Sequence, residues 1–449
     1  MAESQGNQAV ALGGKLRSLE LSLTNYKRDT VINMRPFVAD VTIYENIFNP
    51  TLHGVMTVVD SIGFLSGYGF PILGEEYLTI KYSVPDDSIP ARSLDFFVYK
   101  MAPVFNAENF KHKRYILYFC SIEQKEDASR TVQKAYNQPN SDTVKNILSE
   151  YMRSKKTVET QPTKGAQAVI IPNLSPLAAV DFLRRRSIAQ DKYNSASYLF
   201  FETTDGFKFC DIEYLIDKGR DKIKANAERY TYYLTQTDLQ RTSTGTGDND
   251  NTDPRNYNKA EFKSLFSWSQ DHRGDTIEKL KLGMFSSKVN VFDPVNVVLS
   301  SKIFYFNPDK TTTMGKFPEN SKDFITDMSL NLHDQFRLFT VVKDPTAPDT
   351  FLDDIVQNSA SYMTRLAQNM FAAKIIGDPS ILAGDIITIP NLPAYRNPDG
   401  KGNDDKLLTG EFLICGITHK FGLESYAADL ELYKNGFSAD PEKVIEVGK

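Results

Sequence analysis

The sequence predicts a mainly β protein with an α+β insertion and with two related antiparallel β-barrel modules. Apolar and polar residues alternate with period 2 along many short segments, as they do in half-buried strands. Aromatic residues make up 12% of the chain and are mostly Phe and Tyr, which favour strands. The stretch 72–80 (ILGEEYLTI) is echoed at 381–389 (ILAGDIITI), which indicates that one β module occurs twice.

The echo continues beyond these two stretches. The positions that follow have the same spacing in each copy: Phe96, Val98 and Phe105 in the first, and Phe412, Ile414 and Phe421 in the second. A chain that carries one module twice presents two near-equivalent surfaces. A closed oligomer of such a chain can therefore match a partner that has twice its own symmetry.

Length and composition indicate a globular protein of about three or four domains, because 449 residues exceed one ordinary core. Hydrophobic content of 41% and charged content of 24% are ordinary values. The net charge of −5 gives no general attraction to nucleic acid or to an anionic membrane. No apolar run approaches the roughly 20 residues of a membrane span, so no stable membrane association is expected. The first residues contain an acid and no apolar core, so a secretory signal is not expected either.

Residues 1–16 are expected to form a flexible N-terminal arm, and residues 17–125 the first β-barrel module. From Ser18 onward, leucines at every second position predict a strand. Five more strands are predicted at 37–44, 54–59, 77–84, 94–101 and 114–122, with turns at Asn49-Pro50 and at 85–87. Six strands without a long helix between them predict a closed or partly closed antiparallel barrel, or a sandwich.

Residues 126–215 are predicted to be an inserted α+β domain. Ser141-Asp142 is expected to cap one helix, and Ser175-Pro176 starts a second helix that ends at Arg184–Arg186. Two aromatic strands, 198–202 and 207–211, flank Asp205-Gly206, which is a hairpin signal. Residues 216–260 are interpreted as a connecting segment that ends in a polar loop from 236 onward.

Residues 261–345 are predicted to be the first part of the second module. The pattern at 275–278 (DTIE) resembles a capping box and predicts a short helix that Gly283 ends. Strands are predicted at 261–269, 295–300, 302–306, 329–332 and 337–342.

The rest of the second module follows a connecting helix at 346–371. One face of that helix is expected to carry Ile355, Tyr362, Met363, Leu366 and Met370. Residues 372–437 are predicted to complete the module with strands at 386–389, 411–417 and 427–432 and a polar loop at 393–406, before a C-terminal tail at 438–449.

No residue pattern predicts a catalytic, cofactor-binding or metal site, and we expect no enzyme activity and no cofactor. G-x-S-x-G, Walker A and H-E-x-x-H motifs are absent from the sequence. The five histidines are scattered and have no partner at metal-ligand spacing: His53, His112, His272, His333 and His419. Two acidic loops, at 248–253 and at 399–405, offer oxygen ligands but lack the EF-hand order, so they are interpreted as solvated loops.

Several charged residues have both a functional and a structural interpretation. Glu75, Glu76 and Asp385 occupy similar places in the two repeats and are better explained as turn residues than as acid–base catalysts. Arg184–Arg186 suits either a helix C-terminus or an acidic partner, and the structural interpretation is favoured. The basic run 111–114 is interpreted as a solvated loop edge.

The three cysteines, Cys120, Cys210 and Cys415, each lie inside an alternating strand pattern. Free cysteine is among the most buried residue types, and three cysteines in a chain of this length do not form a disulfide framework. They are predicted to be buried thiols.

The order of these motifs resembles the baseplate hub proteins of T4-type contractile-tailed bacteriophages, which are related to the N-terminal regions of type VI secretion spikes. The opening segment 41–54 (VTIYENIFNPTLHG), followed by 58–61 (VVDS), resembles the start of that family. The segments 377–389 and 408–432 resemble its end, with a G-x-P-x-L-x-x-G-D-like turn at 377–385 (GDPSILAGD). The resemblance covers most of residues 17–433 and depends on the order of diffuse motifs.

The resemblance implies a homotrimeric, pseudo-sixfold ring in which each subunit supplies two tail-tube-like barrels. One face would meet the tail tube or a tube-initiator protein, and the other face the central spike protein, with further baseplate proteins at the periphery. The ring would surround a channel through which DNA passes transiently during ejection, without sequence-specific binding. The implied location is the tail baseplate of the virion, assembled in the cytoplasm of the host bacterium.

Two alternatives remain open at this point. The first is the hub of a phage-derived protein-injection machine, which has the same architecture and carries no DNA. The second, less favoured, is a tail-associated cell-wall hydrolase with its site in residues 126–215. A paired-carboxylate enzyme needs one acid in an apolar pocket and a second nearby, and no such pair is evident in the sequence of the insertion.

Overall fold

The computed structural model describes most of the chain, and it is mainly β. The described residues are 14–104 apart from 64 and 66–68, 113–190, 195–234, 263–305 apart from 274, 283 and 285, 337–343, 351–366, 369–396, and 402–436 apart from 406 and 435. Among them, no helix is long and apolar enough to cross a membrane. Most of the N-terminal arm, the loop predicted from 236 to 260, the strand predicted at 329–332 and the C-terminal tail lie outside the described residues.

The first part of the chain forms eight strands, and all six predicted strands are confirmed. Their bounds are β1 Gly14–Lys15, β2 Ser18–Thr24, β3 Val31–Asn33, β4 Val38–Asn46, β5 His53–Asp60, β6 Tyr77–Ser83, β7 Arg92–Val104 and β8 Lys113–Ser121. Alternate side chains of β5 and β6 are buried, as the period-2 pattern predicts. The last three residues of the predicted arm are ordered, because Gly14 and Lys15 pair with a strand near the end of the chain and Leu16 N donates to Glu424 O.

The inserted domain and the segment that follows it contain five helices, four of them with eight or more residues, and five strands. Its elements are α1 Ile122–Ser129, β9 Val132–Gln138, α2 Asn140–Glu150, β10 Thr157–Thr160, β11 Gln167–Leu174, α3 Pro176–Arg184, β12 Tyr198–Thr203, β13 Gly206–Asp211, α4 Ile212–Ala225 and α5 Ala227–Tyr230. Strands β10, β13 and β12 form one sheet, and β11 and β9 form another.

Two of the predictions for this domain are confirmed and one is wrong. The Ser175 side chain accepts from Ala178 N at the start of α3, and the Asp205-Gly206 turn joins β12 to β13. The helix predicted to start at Ser141 is α2, which starts one residue earlier, at Asn140, and the Ser141 side chain does not cap it. The backbone N–H of Ser141 donates instead to the buried Thr163 hydroxyl. Helix α4 also runs across the predicted boundary at 215.

The remaining elements belong to the second half of the sheet and to a smaller three-stranded sheet. They are β14 Tyr233–Leu234, β15 Ser264–Arg273, α6 Thr276–Leu282, β16 Ser286–Asp293, β17 Val298–Tyr305, β18 Arg337–Val342, α7 Leu352–Leu366, β19 Asn369–Ile376, β20 Ile386–Ile389, β21 Pro393–Arg396, β22 Gly402–Asp404, β23 Gly410–Phe421 and β24 Ser425–Tyr433. Strands β17, β16 and β18 form the small sheet in that order.

Three predictions in this region are corrected. The strands predicted at 295–300 and 302–306 are one strand, β17, and its partner β16 was missed. The turn lies at 294–297 because the Asp293 carboxylate accepts from the N–H groups of Val295 and Asn296. Met370 lies in β19 and not on the connecting helix, which ends at Leu366. The loop predicted at 393–406 contains the short hairpin of β21 and β22.

One curled sheet of 14 strands runs through both halves of the chain. Its strand order is β14-β15-β19-β24-β23-β4-β5-β8-β7-β6-β2-β3, with β1 paired to β24 and β20 paired to β23. At one end of the sheet, the segment 231–234 contacts two strands. Tyr232 N donates to Thr388 O in β20, and β14 pairs with β15. The division of this sheet into two separate barrels stays a prediction.

The sheet separates three apolar cores. The first lies inside strands β2 to β8 and includes Leu21, Ile80 and Phe119. The second-half core includes Phe371, Phe412 and Leu430, against which Trp268 packs. Between the insertion and the outer face of β20 and β23 lies a third core, which contains Phe201, Leu215, Ile386, Leu413 and Cys415. The insertion is therefore packed onto the second half of the sheet, with a further core of its own.

Candidate assembly interface

The two halves of the sheet are joined at one seam, where β23 pairs with β4. The pairing is antiparallel and runs from Gly416 opposite Asn46 to Phe421 opposite Val41. Side chains cross the seam as well, because Phe421 and Tyr426 pack into the core of the first half. The seam thus joins two modules edge to edge through a strand ladder and a shared core.

A buried carboxylate, that of Glu45, binds residues on the other side of the seam. Glu45 in β4 accepts from Ala383 N at 2.6 Å and from Thr204 N at 3.2 Å, so it binds both the second half and the insertion. The oxygen that accepts from Thr204 also lies 3.5 Å from His419 Nε2, and His419 Nδ1 is 2.7 Å from the Tyr426 hydroxyl. Burial raises the pKa of Tyr426 well above its usual value, so this hydroxyl stays protonated.

A second buried carboxylate holds the insertion against the first half. Glu202 in β12 accepts from Leu52 N at 2.9 Å and from the Ser121 hydroxyl at 2.5 Å. Lys156 Nζ donates to Glu202 and to Glu123, both at 2.6 Å. Burial raises the pKa of Glu202, whereas the two carboxylates outweigh burial and raise the pKa of Lys156. Glu202 and Glu123 therefore both form ion pairs with Lys156.

The repeat found in the sequence is also a repeat of strand register. In the second half, Ile387 of β20 lies opposite Phe412 of β23, and Thr388 lies opposite Glu411. In the first half, Leu78 of β6 lies opposite Phe96 of β7, and Thr79 opposite Asp95. The two strand pairs match position for position, with Thr facing an acid in each. Phe105, the last position of the sequence echo, lies outside the described residues.

The acids of the repeat are turn residues, as predicted. Glu76 accepts from the N–H groups of Leu73, Gly74 and Glu75, and Asp385 accepts from Leu382 N at 3.1 Å. A glycine with positive φ precedes each acid: Gly74 at 89° and Gly384 at 87°. Asp385 also forms an ion pair with Lys222 at 2.6 Å. These carboxylates hold the chain at the entry to a strand and are not arranged as a catalytic pair.

The match extends to the β-bulges and to the neighbouring strands. The register of β7 on β8 shifts between Val98 and Lys100, and that of β23 on β24 shifts at the equivalent place, between Ile414 and Gly416. Strands β6, β7, β8, β5 and β4 thereby correspond to β20, β23, β24, β19 and β15. Bulges are specific features of a fold, so a shared bulge supports a true structural repeat.

By the shared register, each edge that forms the seam has a counterpart in the other half of the sheet. The counterpart of the seam edge of β23 is the outer half of β7, from Lys100 to Val104. The counterpart of the seam edge of β4 is β15 from Trp268 onward. Of these two edges, that of β7 pairs with no further strand among the described residues. Pro103, which has no N–H group, lies on the first of them, and proline within a sheet is typical of an edge strand.

The arginine run has partners within its own domain. Arg184 and Arg185 both pair with Asp181, and Arg184 also donates to Tyr198 O. Arg186 donates to Phe182 O and lies 3.6 Å from the centre of the Phe182 ring. In the other basic run, Lys113 and Arg114 begin β8 and are exposed, whereas residues 111 and 112 lie outside the described part.

The histidines and cysteines form no metal site in the part of the chain that the structure describes, where no group of three His, Cys, Asp or Glu residues could hold an ion. His53 stacks on Tyr44, and burial lowers its pKa. All three cysteines are buried free thiols, as predicted, and burial raises the pKa of Cys120 to about 11. His112 and His333 lie outside the described residues.

One of the two acidic loops can be partly described. Asp405 accepts from the N–H groups of Leu407 and Leu408, so its carboxylate closes a turn. Asp399 and the whole of the loop at 248–253 lie outside the described residues.

The fold is similar to that of a solved tail protein. The tail protein from Neisseria meningitidis MC58 has a similar solved structure, with a TM-score of 0.50 and 10% sequence identity over 94% of this chain and 100% of that one. The 43 kDa tail protein of prophage MuSo2 from Shewanella oneidensis follows at 0.49 and 9%, over 93% of this chain and 98% of that one. The E. coli c3393 protein, a component of the type VI secretion system, gives 0.39 and 10%, over 93% and 75%.

Of these three, only the Neisseria protein reaches a TM-score of 0.5, and at this identity the likeness defines the fold alone. No family model and no curated protein matches the sequence.

Sequence reasoning did not identify the buried polar residues that join the two halves of the sheet and the insertion. Glu45, Glu202 and His419 stand at alternating strand positions where an apolar residue is expected, and each is buried. A charged residue at the inward position of a strand was the available signal, since such a residue is seldom buried without a partner. Their partners lie far along the chain and are not visible in local patterns.

Proposed function

We propose that the chain is the structural hub of a contractile phage tail baseplate, acting as a homotrimer and without enzyme activity. The observation that carries this proposal is the register repeat together with the seam. Two halves that share a strand register are joined edge to edge within one chain, and the same kind of contact between copies would join β7 of one copy to β15 of the next. The tail-protein fold supports the same class of function by analogy.

The same contact, repeated between copies, gives a closed ring. The seam joins unlike edges, β23 to β4, so its counterpart between chains joins β7 of one copy to β15 of the next. Such head-to-tail contacts generate rings when the rotation closes. Three copies with two halves each give six near-equivalent units, which is the symmetry an adaptor needs between a sixfold tube and a threefold spike.

The register of the proposed contact follows from the seam. Lys420 lies opposite Thr42 in the seam. Val104 is the counterpart of Lys420, and Ser269 is the counterpart of Thr42, by their places on the neighbouring strands. We therefore expect Val104 of one copy to face Ser269 of the next. Because Pro103 lacks a donor, this ladder has fewer N–H groups available than the seam.

Both large insertions emerge from the same end of the sheet. The first is the inserted domain, which follows β8, where Cys120 lies opposite His53. The second is the segment between β15 and β19, which carries the small three-stranded sheet and begins where Arg273 lies opposite Asn369. The other end presents the tight turn between β23 and β24 and the short turn between β2 and β3, whereas the loop between β6 and β7 lies at the end with the insertions. We assign the end with short connections to the tail tube or its initiator, and the end with insertions to the central spike and peripheral baseplate proteins.

A disulfide between the proposed strands tests the ring. Directly opposed residues of an antiparallel pair have Cα atoms about 4.5–5.5 Å apart, which is within the range of a disulfide. The double variant V104C/S269C should give a covalent trimer on a non-reducing gel after mild oxidation. The native thiols are buried and do not compete. Native mass spectrometry of the wild-type protein should show three copies.

Two controls make the result specific. A mixture of the single variants V104C and S269C should give linked dimers, because each bond then joins different chains. Moving the second cysteine two positions, as in V104C/S267C, should reduce the yield strongly, since diagonal pairs are about 7–8 Å apart. A stable monomer without affinity for tail-tube or spike proteins would refute the hub.

A further inference from the structure

Two cations share one tyrosine ring on the outer face of the first half. Tyr77 starts β6 and points away from the core, since Leu78 next to it is fully buried. The guanidinium carbon of Arg28 lies 4.1 Å from the centre of the Tyr77 ring. Lys125 Nζ lies 5.0 Å from the same centre, donates to the Tyr77 hydroxyl at 2.6 Å, and lies 4.7 Å from the centre of the Phe97 ring. We call Arg28, Tyr77, Phe97 and Lys125 the basic patch.

The positive charges of the basic patch have no carboxylate beside them. Neither Arg28 nor Lys125 forms an ion pair with a residue that the structure describes. The acids closest to them in the sequence have other partners: Asp29 is hydrogen-bonded within its own turn, and Glu126 pairs with Arg130. Two like charges beside one ring repel each other, so an anion bound between them would stabilise the folded chain.

The turn between β2 and β3 holds Arg28 over the ring. Asn25 O accepts from Arg28 N at 2.9 Å, and Asn25 Oδ1 accepts from Asp29 N at 3.1 Å. Arg28 has a φ of 61°, which is uncommon and strained for a residue other than glycine. The chain therefore places a cation where a glycine would relieve the backbone, which indicates that the Arg28 side chain has a role beyond the turn.

Tyr77 adds a third hydrogen-bond donor. Burial acts to raise the pKa of Tyr77, but the hydrogen bonds and charges of Lys125 and Arg28 outweigh burial and lower that pKa. The hydroxyl accepts from Lys125, and a phenol can donate its own proton at the same time. An oxyanion beside this hydroxyl would therefore meet N–H groups of Lys125 and Arg28 and the O–H group of Tyr77.

We propose that the basic patch binds a carboxylate of an acidic segment on a partner protein. Two charged donors and one hydroxyl suit a carboxylate, since charge-assisted hydrogen bonds are the strong ones. A nucleic acid fits less well, because stacking of bases needs a free aromatic face and both cations lie over the Tyr77 ring. The net charge of −5 also disfavours a duplex. All four residues belong to one chain, so the site does not depend on the proposed trimer.

A fluorescently labelled hexaglutamate peptide tests the site on the full chain by anisotropy. Arg28→Gln and Lys125→Gln should each weaken binding by about tenfold, because each removes a charge-assisted hydrogen bond. Tyr77→Phe keeps the ring and should weaken binding by about threefold, because it removes one neutral donor. Added salt should weaken binding by the wild type more than binding by R28Q/K125Q, since salt screens exposed charges.

Lys134→Gln is the matched control. Lys134 also lies over an aromatic ring, 5.2 Å from the centre of Tyr136, but it already pairs with Glu150 at 3.0 Å. Its substitution should leave the affinity for hexaglutamate unchanged. Thermal unfolding gives a second readout, because hexaglutamate should raise the Tm of the wild type and of Lys134→Gln but not that of R28Q/K125Q. Circular dichroism checks that every variant is folded.

Equal affinity of the wild type and R28Q/K125Q for hexaglutamate, or no binding by the wild type, would overturn the proposal. If inorganic phosphate or random-sequence duplex DNA binds through Arg28 and Lys125 while hexaglutamate does not, the partner is not an acidic protein segment and the proposal is wrong. A chain that binds hexaglutamate through the basic patch but stays monomeric would support this site and refute the hub, so the two proposals fail separately.

Discussion

Buried charges in this protein lie where separate elements meet. Glu45 joins the two halves and the insertion, and Glu202 joins the insertion to the first half. Asp378 accepts from Lys263 at 2.6 Å and from the Tyr232 hydroxyl at 2.7 Å, which fastens the segment at 231–234 to the second half. Removing one member of a buried pair leaves an uncompensated charge, so these residues fix the relative positions of the elements.

Lys434 makes stability depend on pH. This lysine follows β24, is fully buried, and donates to Thr409 O at 3.0 Å and to Glu411 O at 3.4 Å. Burial lowers its pKa to about 8. Below pH 8 it is protonated in both states, and keeping that charge buried destabilises the folded chain. Between pH 8 and about 10.4 the unfolded chain binds more protons, so the free energy of unfolding rises with pH.

We predict that the free energy of unfolding of the wild type, minus that of Lys434→Met, increases across this window by up to about 1.4 kcal/mol per pH unit. Urea unfolding of both proteins between pH 7 and 10 measures it, and taking the difference removes the contribution of other groups. A difference that stays constant over this range would contradict a lowered pKa at Lys434.

At the scale of single residues, sequence reasoning identifies turn chemistry better than buried charge. The role of Glu76 and Asp385 follows from an acid beside a glycine at the start of a strand, which is local information. The Ser175 cap is local in the same way. The role of Glu45 depends on Ala383 and Thr204, which are far away in the chain, so no local pattern contains it.

At the scale of elements, the β12–β13 hairpin links the insertion to both halves of the sheet. Thr204 N donates to Glu45, and Asp205 forms an ion pair with Arg92 of β7. The turn depends on Gly206, which has φ of 137°. A Cβ there would lie 2.4 Å from Thr157 Oγ1 and 2.5 Å from Thr157 O, so any other residue is strained and also clashes.

We predict that Gly206→Ala destabilises the hairpin by about 1–3 kcal/mol and loosens the insertion from the seam. Hydrogen exchange should become faster in β12 and β13 before it changes in β5 and β6. Thr204→Ala is the matched control in the same turn, because it changes a side chain and keeps the N–H that binds Glu45. Equal exchange rates in the two variants would show that the turn does not hold the insertion.

Strands are the elements that the sequence predicts well, because half-buried strands alternate in polarity. Six of the eight strands of the first half were predicted, and so was the hairpin at Asp205-Gly206. The pattern fails where both faces of a strand are alike, as in the exposed β17, and at the end of α7, where apolar spacing continues into β19. Helix α4 was missed although Asp211 caps it, since its apolar stripe follows directly after a strand.

At the scale of the whole molecule, the joining of the two halves could not be predicted. The segments 41–46 and 416–421 alternate like any other strand, and the choice of partner across the sheet is not a local property. The repeat indicates two equivalent modules, and the structure adds that their unlike edges pair within one chain. The proposed ring applies the same contact between chains.

Charge predicts how such a ring treats DNA. Each chain carries a net charge of −5, so an assembled trimer has three times that negative charge and should repel duplex DNA at long range. Tight binding to phosphate needs several cations and falls steeply with salt. A conduit gains nothing from binding that holds its cargo, so we expect transient passage without retention.

We predict that the purified trimer does not retain duplex DNA at about 150 mM salt, the physiological range. Filter binding with random-sequence duplex over a salt series measures this, with a basic DNA-binding protein as the positive control. Retention at that concentration, with affinity falling steeply as salt rises, would mean that cations line the channel in spite of the net charge. If duplex DNA is not retained, the result agrees with a channel wall that does not bind the DNA that passes it.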